Sequence, residues 1–204
     1  MKRSSRRPVL VVIAGPNGAG KTEFTHSALG HEWLAECEHI NPDEIARDVF
    51  GSWDDEKAVL DALRHAENIR RKCLAERRSL VFETVFSTGE KIQFIRQAKQ
   101  AGYFVRFFFI ATDTPQINAA RIAKRVAQGG HDVPTRKGFE RFYKSVGNLV
   151  SALRLVDRGY VYDNSVDGES PALQFRTDAG QIKKIYRQNH DWAEQVRQAL
   201  TRGL

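Results

Sequence analysis

The sequence predicts an α/β fold in three layers, α/β/α, around a mostly parallel sheet. Two observations support this class: short apolar runs rich in β-branched and aromatic residues, and longer segments of helical periodicity that separate them. Strands buried on both faces give continuous apolar runs, and parallel neighbours need crossover helices between them. With 204 residues and 41% hydrophobic content, the chain is long enough to bury one core.

The predicted sheet has five strands. Apolar runs at 9–14, 80–82 and 104–111 predict three strands buried on both faces. Shorter runs at 39–40 and 160–162 predict two weaker strands, which complete the sheet.

The segments between and after these strands have helical or hairpin patterns. Apolar spacing predicts crossover helices at 54–78, 90–101, 116–127 and 138–156. The first has an apolar stripe that should face the core, formed by Val59, Leu60, Leu63, Ala66, Ile69, Cys73 and Leu74. Near the C-terminus, ALQFRT and QIKKIY flank an Asp-Ala-Gly turn and predict a small hairpin, followed by a closing helix at 190–201.

Residues 8–204 are predicted to form a single domain, preceded by a flexible basic arm at 1–7. The net charge is +7, and the four basic residues of the arm leave only +3 for the rest. The arm is either a solvated terminus or a contact for nucleic acid or an acidic partner. The modest charge of the remaining chain argues against a nucleic-acid groove on the domain itself. No apolar run approaches the roughly 20 residues that span a bilayer, and no signal cleavage site follows the basic start. We therefore expect a soluble, cytoplasmic protein without a membrane partner.

The first strand is followed by GPNGAGKT, which satisfies the pattern G-x4-G-K-[ST] between a strand and a helix. This predicts a phosphate-binding loop, formed by Gly15, Pro16, Asn17, Gly18, Ala19, Gly20, Lys21 and Thr22. Glycines let backbone amides surround the β-phosphate, the lysine bridges β and γ oxygens, and the threonine hydroxyl binds Mg²⁺. The loop predicts ATP and Mg²⁺ as cofactors in a P-loop kinase-like fold. ATP is preferred to GTP because the guanine motif N-K-x-D is absent.

The stretch INPDEIARDVF follows the second strand. Asn41 is expected to cap a helix, Pro42 to occupy its first position and Glu44 to complete a capping box, which leaves Asp43 without a local role. Since the carboxyl end of the second strand should lie near the phosphate loop, Asp43 is predicted to contact the substrate and to accept the proton of an attacking hydroxyl. The alternative is that Asp43 only stabilises the helix N-terminus.

The third strand ends in LVFETVFST, which places Glu83 at the carboxyl end of a buried strand, where ligands bind in such folds. A carboxylate buried there without a partner would be costly. Glu83 is predicted to contact the Mg²⁺ shell or substrate hydroxyls, assisted by Thr84, or else to pair with a neighbouring basic side chain.

A lid that carries several arginines is predicted at about 121–141. Arg121 and Arg125 lie one helical turn apart, and Arg141 follows a Gly-Gly-His turn that His131 is expected to cap or orient. Mobile cations that close over ATP stabilise the charge of the transferring phosphoryl group and exclude water. Arg125 and Arg141 are the predicted catalytic arginines, and Arg121 is a further nucleotide contact.

Together, GPNGAGKT, NPDEIAR, FETVFST, RIAKRVAQGGHDVP with RFYKSVGNLVSAL, and YDNS resemble the zeta toxin family, in order over residues 9–165. The Gly-Gly-His-x-Val-Pro segment with its arginines is more discriminating than the phosphate loop. The resemblance implies a P-loop kinase that uses ATP and Mg²⁺ to phosphorylate a hydroxyl of UDP-N-acetylglucosamine, and a small antitoxin that blocks the ATP site.

The same resemblance implies roles for individual residues. Lys21 would be the phosphate-binding lysine, Asp43 the base, Glu83 a substrate or metal contact, and Arg125 with Arg141 the phosphate clamp. The chain resembles the short members of the family, so an antibiotic, a nucleoside or a nucleic-acid 5′ hydroxyl is an alternative acceptor on the same scaffold. An ATP-dependent switch protein is a further alternative, against which the lack of an acidic pair at the third strand counts.

Overall fold

The structure is a computed structural model that describes residues 7–29, 34, 36–51, 55–129, 133–188 and 190–202. The strands of this part are β1 (Val9–Ala14), β2 (Glu38–Ile40), β3 (Leu80–Thr84), β4 (Phe104–Ala111), β5 (Arg158–Asp163), β6 (Ala172–Asp178) and β7 (Gln181–Ile185). The helices are α1 (Lys21–Leu29), α2 (Pro42–Phe50), α3 (Glu56–Glu76), α4 (Glu90–Gln100), α5 (Pro115–Ala127), α6 (Thr135–Leu155) and α7 (Asp191–Thr201).

The strands of the described part form one seven-stranded sheet in the order β2-β3-β1-β4-β5-β6-β7. The first five in this order are parallel, whereas β6 pairs antiparallel with β5 and β7. The predicted α/β class with a mostly parallel sheet is confirmed. The predicted count of five strands holds only for the parallel part, because the C-terminal hairpin continues the sheet. Phe175 of this hairpin is fully buried in the main core, which holds the hairpin in place.

Two cores lie on the two faces of the sheet, because side chains alternate along each strand. On one face, Leu10 and Val12 of β1 pack with residues of α3, α4, α6 and α7. On the other face, Val11 and Ile13 belong to a smaller core against which Phe24 of α1 packs. These two layers of helices and the sheet between them form the α/β/α arrangement.

The buried face of α3 differs from the predicted apolar stripe. The residues of α3 that are buried are Ala58, Ala62, Ala66, Arg70 and Cys73. Leu60 and Leu63 of the predicted stripe are each 48% exposed. Small alanine side chains let the helix approach its neighbours closely, and the larger leucines lie beside that contact instead of within it.

The helix bounds lie within a few residues of the predicted ones, except that α6 begins earlier. It starts at Thr135, directly after Pro134, and not at 138. Gly138 lies in the first turn, and its amide donates a hydrogen bond to the carbonyl oxygen of Pro134 at 2.9 Å.

Parts of the predicted arm and lid turn lie outside the described residues, namely 1–6 and 130–132, which include His131. Arg7 is described, and its guanidinium donates hydrogen bonds to the carbonyl oxygens of Gly102 at 2.9 Å and Tyr103 at 2.8 Å. Among the helices of the described part, none is both long and apolar enough to cross a membrane.

Candidate active site

The carboxyl ends of the parallel strands surround a cavity of about 540 Å³, the central cavity. Ligands of open α/β sheets bind at this edge. The central cavity brings together residues that the sequence singled out: Lys21, Thr22, Asp43, Glu83, Thr84, Arg121, Arg125 and Arg141. Segments far apart in the sequence therefore meet in one place.

The phosphate loop connects β1 to α1 and packs closely against neighbouring strand ends. At Gly15, with φ of 148°, a Cβ atom would lie 2.0 Å from the carbonyl oxygen of Ile110 in β4. At Gly20, with φ of 85°, a Cβ atom would lie 2.4 Å from Nδ2 of Asn164. This Nδ2 donates a hydrogen bond to the carbonyl oxygen of Ala19 at 2.9 Å. The loop can follow this path only with glycine at both positions.

Helix α5 of the lid is attached to the same loop through Asn118, a residue without a sequence motif to mark it. Asn118 is buried and donates a hydrogen bond to the carbonyl oxygen of Asn17 at 2.6 Å. The hydroxyl of Thr112 donates to the side-chain oxygen of Asn118. The first turns of α5 are thereby held against the phosphate loop, and the arginines of α5 follow further along the helix.

Lys21 is the first residue of α1, and the charged side chains of the site act on its ammonium group. Its Nζ donates a hydrogen bond to the carbonyl oxygen of Pro16 at 3.0 Å. Burial lowers the pKa of Lys21 from 10.5 to about 8. Glu83 and Asp43 oppose this shift, whereas the charge of Arg125 adds to it. A bound phosphate would favour the charged form of Lys21.

Thr22 and Glu83 form a corner of oxygen atoms in the central cavity. The hydroxyl of Thr22 donates a hydrogen bond to Oε2 of Glu83 at 3.2 Å. The other carboxylate oxygen, Oε1, is buried and has no hydrogen-bond partner within the residues that the structure describes. Such an oxygen needs a ligand to offset its desolvation. Hydroxyl and carboxylate oxygens are ligands that Mg²⁺ prefers, so this corner fits the predicted cation.

Asp43 lies in the first turn of α2, where it is exposed and lines the central cavity. Asn41 caps the helix, because its Oδ1 accepts the amide of Asp43 at 3.0 Å, and its Nδ2 donates to Glu44 at 3.2 Å. Pro42 occupies the first helical position. These neighbours serve the local structure. Within the described residues, the carboxylate of Asp43 makes no hydrogen bond or salt bridge, and its charge acts on Lys21.

The three predicted lid arginines have different surroundings. Arg121 is half-buried and donates hydrogen bonds to the carbonyl oxygen of Asn164 at 2.7 Å and to Oδ1 of Asp167 at 2.8 Å. Arg125 lies one turn further along α5, and Arg141 lies on α6, both exposed at the central cavity. Two helices therefore supply cations to one cavity.

The chain turns sharply after β3, and this turn shapes the wall of the central cavity. Phe86 is buried and has φ of 61°, a left-handed conformation that is rare for a bulky residue. The hydroxyl of Thr84 accepts the amide of Phe86 at 3.1 Å, and Asn148 donates to the carbonyl oxygen of Phe86 at 3.0 Å. Strained backbone of this kind concentrates at functional sites. Ser87 and Thr88, which follow, line the cavity.

A second cavity of about 610 Å³, the outer cavity, lies on the other side of the phosphate loop. Its lining is Gly20, Glu23, Phe24, Ser27, Arg121, Asn164, Val166, Asp167, Gly168, Glu169, Ser170 and Pro171. Gly20, Glu23 and Arg121 line both cavities. Sequence reasoning missed most of these residues, and the YDNS stretch was the only signal for Asn164.

The turn that forms one wall of the outer cavity is held by buried polar contacts. Asp163 is 3% exposed, and its Oδ2 accepts hydrogen bonds from Trp192 at 3.0 Å and from Ser165 at 2.9 Å. The ring of His190 lies between Oδ1 of Asp113 at 2.7 Å and Oδ1 of Asp163 at 3.2 Å. The start of α7 is thereby fastened to the carboxyl ends of β4 and β5.

Comparison with known families identifies the family of the chain. The model of the family described as zeta toxin matches residues 1–190. The chain belongs to the zeta toxin family. An uncharacterized protein of Haemophilus influenzae is 28% identical over 121 residues, which cover 59% of this chain and 83% of that protein.

Solved structures share the fold of this zeta toxin family member. The PezAT toxin–antitoxin system of Streptococcus pneumoniae matches with a TM-score of 0.60 and 18% identity, over 99% of this chain and 89% of the other. The AvrRxo1-ORF1:-ORF2 structure with ATP matches with a TM-score of 0.68 and 17% identity. That match covers 95% of this chain and 64% of the longer one. At these identities the likeness establishes the fold.

Family membership and fold together show that this zeta toxin family member is a phosphotransferase with a nucleotide-binding phosphate loop. They also support ATP as its nucleotide. The predicted family, fold class and enzyme class are thus confirmed. The roles of the single residues remain predictions, although the structure places all of the predicted site residues in the phosphate loop or around the central cavity.

Proposed function

We propose that the protein transfers the γ-phosphate of ATP to a hydroxyl of a sugar nucleotide, such as UDP-N-acetylglucosamine, and that it is the toxin of a toxin–antitoxin pair. One observation above all supports the transfer reaction. A single cavity contains the phosphate-loop lysine Lys21, the carboxylate of Asp43, and the lid arginines Arg125 and Arg141. These are the groups that phosphoryl transfer to an alcohol requires.

The two cavities suggest how ATP lies. Since Gly20 and Arg121 line both, the base and ribose would occupy the outer cavity and the phosphates would cross the loop into the central cavity. The guanidinium of Arg121 lies where it would contact the nucleotide, and Phe24 offers an aromatic wall on the opposite helix.

In the central cavity, Asp43 would accept the proton of the acceptor hydroxyl while the hydroxyl oxygen attacks the γ-phosphorus. The bond from the γ-phosphorus to the bridging oxygen breaks, and ADP leaves. Lys21, Arg125 and Arg141 would stabilise the charge that spreads over the phosphoryl oxygens. General base catalysis of this kind contributes about 10²–10⁴-fold to the rate.

Thr22 and Glu83 would hold Mg²⁺, because the buried Oε1 of Glu83 lacks a partner in the described part of the chain. The cation would neutralise charge on the β- and γ-phosphates. Thr84 would contact the substrate, because it lines the central cavity.

The sugar nucleotide and the antitoxin rest on family membership. The PezAT neighbour is described as a toxin–antitoxin system, and AvrRxo1-ORF1 occurs as a complex with AvrRxo1-ORF2. A small antitoxin partner is therefore proposed for this chain as well.

The decisive experiment is incubation with ATP, Mg²⁺ and a panel of UDP-sugars, nucleosides and aminocyclitols, followed by mass spectrometry for an added phosphate. Asp43→Asn should transfer about 10²–10⁴-fold more slowly while ATP affinity stays unchanged. Asp48→Asn is the matched control, because Asp48 lies on the same helix, pairs with Arg47 and is 58% exposed. Full activity of Asp43→Asn would remove the proposed base, and release of ADP without any phosphorylated acceptor would favour the switch alternative.

Toxicity is tested by growth of a host that expresses the wild type beside one that expresses Lys21→Ala. The wild type should arrest growth, and the variant should not, since it lacks the phosphate-binding ammonium group. Equal growth of both strains, with the acceptor shown to be present in the host, would contradict the toxin proposal.

A further inference from the structure

Asn118 of α5 uses both ends of its side-chain amide inside the protein. It is 4% exposed, and its Nδ2 donates a hydrogen bond to the carbonyl oxygen of Asn17 in the phosphate loop at 2.6 Å. Its Oδ1 accepts a hydrogen bond from the hydroxyl of Thr112, which is fully buried. A donor that faces a carbonyl oxygen and an acceptor that faces a hydroxyl fix the orientation of the amide. The side chain therefore connects α5, the phosphate loop and the segment that follows β4.

The backbone of α5 also touches the phosphate loop directly. At Gly18, with φ of 77°, a Cβ atom would lie 2.7 Å from the carbonyl oxygen and 3.1 Å from the Cα atom of Asn118. The pattern G-x4-G-K-[ST] leaves position 18 open, so the motif does not by itself require glycine there. The left-handed backbone and the approach of α5 both require it. Two consecutive loop residues, Asn17 and Gly18, thus contact one residue of α5.

Packing around this contact leaves a small cavity of about 60 Å³. Asn17 and Asn118 line it together with Ile122 of α5 and Phe139 of α6. Atoms that line such a space lose dispersion contacts on one side. The hydrogen bond from Asn118 and the close backbone contact therefore carry a large share of the attachment of α5 to the phosphate loop.

Asn118 lies on the face of α5 that also carries Arg125. The two residues are seven positions apart, which corresponds to two helical turns and about 10 Å along the axis. Arg125 and Lys21 both line the central cavity, and the charge of Arg125 acts on Lys21. Two like charges repel each other when no phosphate lies between them. Helix α5 must therefore be held in place for Arg125 to stay beside Lys21.

We propose that Asn118 is a positioning residue for phosphoryl transfer. Its hydrogen bond to Asn17 fixes α5 on the phosphate loop and thereby holds Arg125 at the phosphoryl group that moves. Asn118 itself lies outside the lining of the central cavity, so it acts through Arg125. The proposal rests on the proposed kinase function, in which Arg125 stabilises the charge of the transferring group. Misplacement of such a group by about 1 Å costs about 10²-fold in rate, so a distant hydrogen bond affects the reaction.

Binding of a transition-state analogue tests this role without an acceptor. ADP with Mg²⁺ and aluminium fluoride mimics the transferring phosphoryl group, whereas ADP with Mg²⁺ alone does not, and calorimetry measures both affinities. Asn118→Leu has a similar volume but lacks the donor to Asn17. It should bind the analogue roughly 10- to 100-fold more weakly and leave the affinity for ADP unchanged. Wild-type affinity for the analogue in the folded variant would overturn the proposal.

A double-mutant cycle with Arg125→Gln separates positioning from a general loss of stability. Arg125→Gln alone should weaken binding of the analogue. Asn118→Leu should then add little to this loss, because no guanidinium is left to misplace. Residues that act independently contribute additively instead. Equal losses from Asn118→Leu with and without Arg125 would therefore contradict a role that acts through Arg125.

Tyr103→Phe is the matched control for the lost hydrogen bond. Tyr103 directly precedes β4 and is fully buried, and its hydroxyl donates to the carbonyl oxygen of Cys73 at 2.7 Å. Like Asn118→Leu, this substitution removes a donor from a buried carbonyl oxygen and should lower the thermal unfolding midpoint. It should leave binding of the analogue unchanged, and a loss there would show that destabilisation alone has this effect. If Asn118→Leu proves insoluble, Asn118→Ser replaces it with the same expected results, since the serine hydroxyl is too short to reach Asn17.

Transfer kinetics distinguish this proposal from the kinase function itself. Asn118→Leu should lower kcat by roughly 10- to 100-fold and leave KM for ATP unchanged, because Arg125 acts on charge that develops in the transition state. An unchanged kcat would overturn the role of Asn118 while the kinase function stands. The expected pattern of analogue binding without transfer to any acceptor by the wild type would instead contradict the kinase function and leave the positioning role supported. A wild type that binds the analogue no more tightly than ADP would remove Arg125 from the transferring group, and the role of Asn118 with it.

Discussion

The lowered pKa of Lys21 should make ATP binding depend on pH. With a pKa of about 8, the ammonium group of the free protein is mostly charged at pH 7 and mostly neutral at pH 9. The γ-phosphate of ATP stabilises the charged form, so Lys21 keeps its proton in the complex. The protonated fraction of the free protein falls as the pH rises through 8, and ATP affinity should fall with it.

The size of this effect follows from the fraction of Lys21 that is competent to bind. For a group with a pKa of about 8, that fraction is about 90% at pH 7 and about 10% at pH 9. A ligand that binds only the competent form loses affinity in the same ratio, here about tenfold or about 1.4 kcal/mol. The terminal phosphate, with a second pKa of about 6, is already about 90% ionised at pH 7, so its own charge changes little over this range.

The assay is a fluorescence titration with an ATP analogue between pH 7 and pH 9, for the wild type and Lys21→Arg. The arginine variant keeps its charge throughout, so its affinity should not change with pH even if it is weaker overall. Calorimetry in two buffers of different ionisation enthalpy should show uptake of about half a proton per ATP at pH 8. A constant affinity of the wild type, or an equal decline in both proteins, would refute the assignment of the titration to Lys21.

Single contacts lead to three further predictions. Gly15→Ala should lower the thermal unfolding midpoint or prevent folding, since the new Cβ would lie 2.0 Å from the carbonyl oxygen of Ile110. A midpoint equal to that of the wild type would contradict this path of the phosphate loop. Trp192→Phe should lower the free energy of unfolding in urea by about 1–3 kcal/mol, because the buried carboxylate of Asp163 loses a donor; no loss would mean that another donor replaces it. Glu83→Gln should raise the Mg²⁺ concentration needed for half-maximal transfer by roughly tenfold, because one negative charge of the Mg²⁺ ligands is removed. An unchanged Mg²⁺ requirement would exclude Glu83 as a Mg²⁺ ligand.

The sequence predicts the central part of the fold well because local and tertiary preferences agree there. The strand β1 and the strand β4 have the predicted bounds, since both are largely apolar and buried on both faces. The turn sequence identifies the hairpin, but its attachment to β5 depends on pairing between distant segments, which no local pattern specifies. The same limit explains why the predicted buried face of α3 was wrong. The helical periodicity of α3 was predicted correctly, but the face that is buried depends on how closely the alanines of the helix approach the sheet.

The phosphate loop and Asp43 can be found from sequence because each follows a strand in a short, recognisable motif. Arg70 and Asn118 cannot, since an arginine or asparagine within a helix is normally solvated. Their burial and partners become visible only once the helices are packed. The residues of the outer cavity between 164 and 171 belong to a loop whose shape depends on Asp163 and the start of α7, which lie far apart in the chain.

In the proposed reaction, the strands on the two sides of the phosphate loop have different roles. In the order β2-β3-β1-β4-β5, β1 lies between β3 and β4, and ligands of open α/β sheets bind at the carboxyl ends of such strands. The β4 and β5 side supplies Asn164 and, through α5, Arg121, which line the outer cavity. The β2 and β3 side supplies Asp43 and, through α3, Arg70, which line the central cavity. In-line transfer needs the attacking and leaving oxygens on opposite sides of the phosphorus, and in the proposed reaction the two sides of the loop would hold them. Substitutions on α2 should therefore change transfer to the acceptor while ATP affinity is kept, and those of Arg121 on α5 should do the reverse.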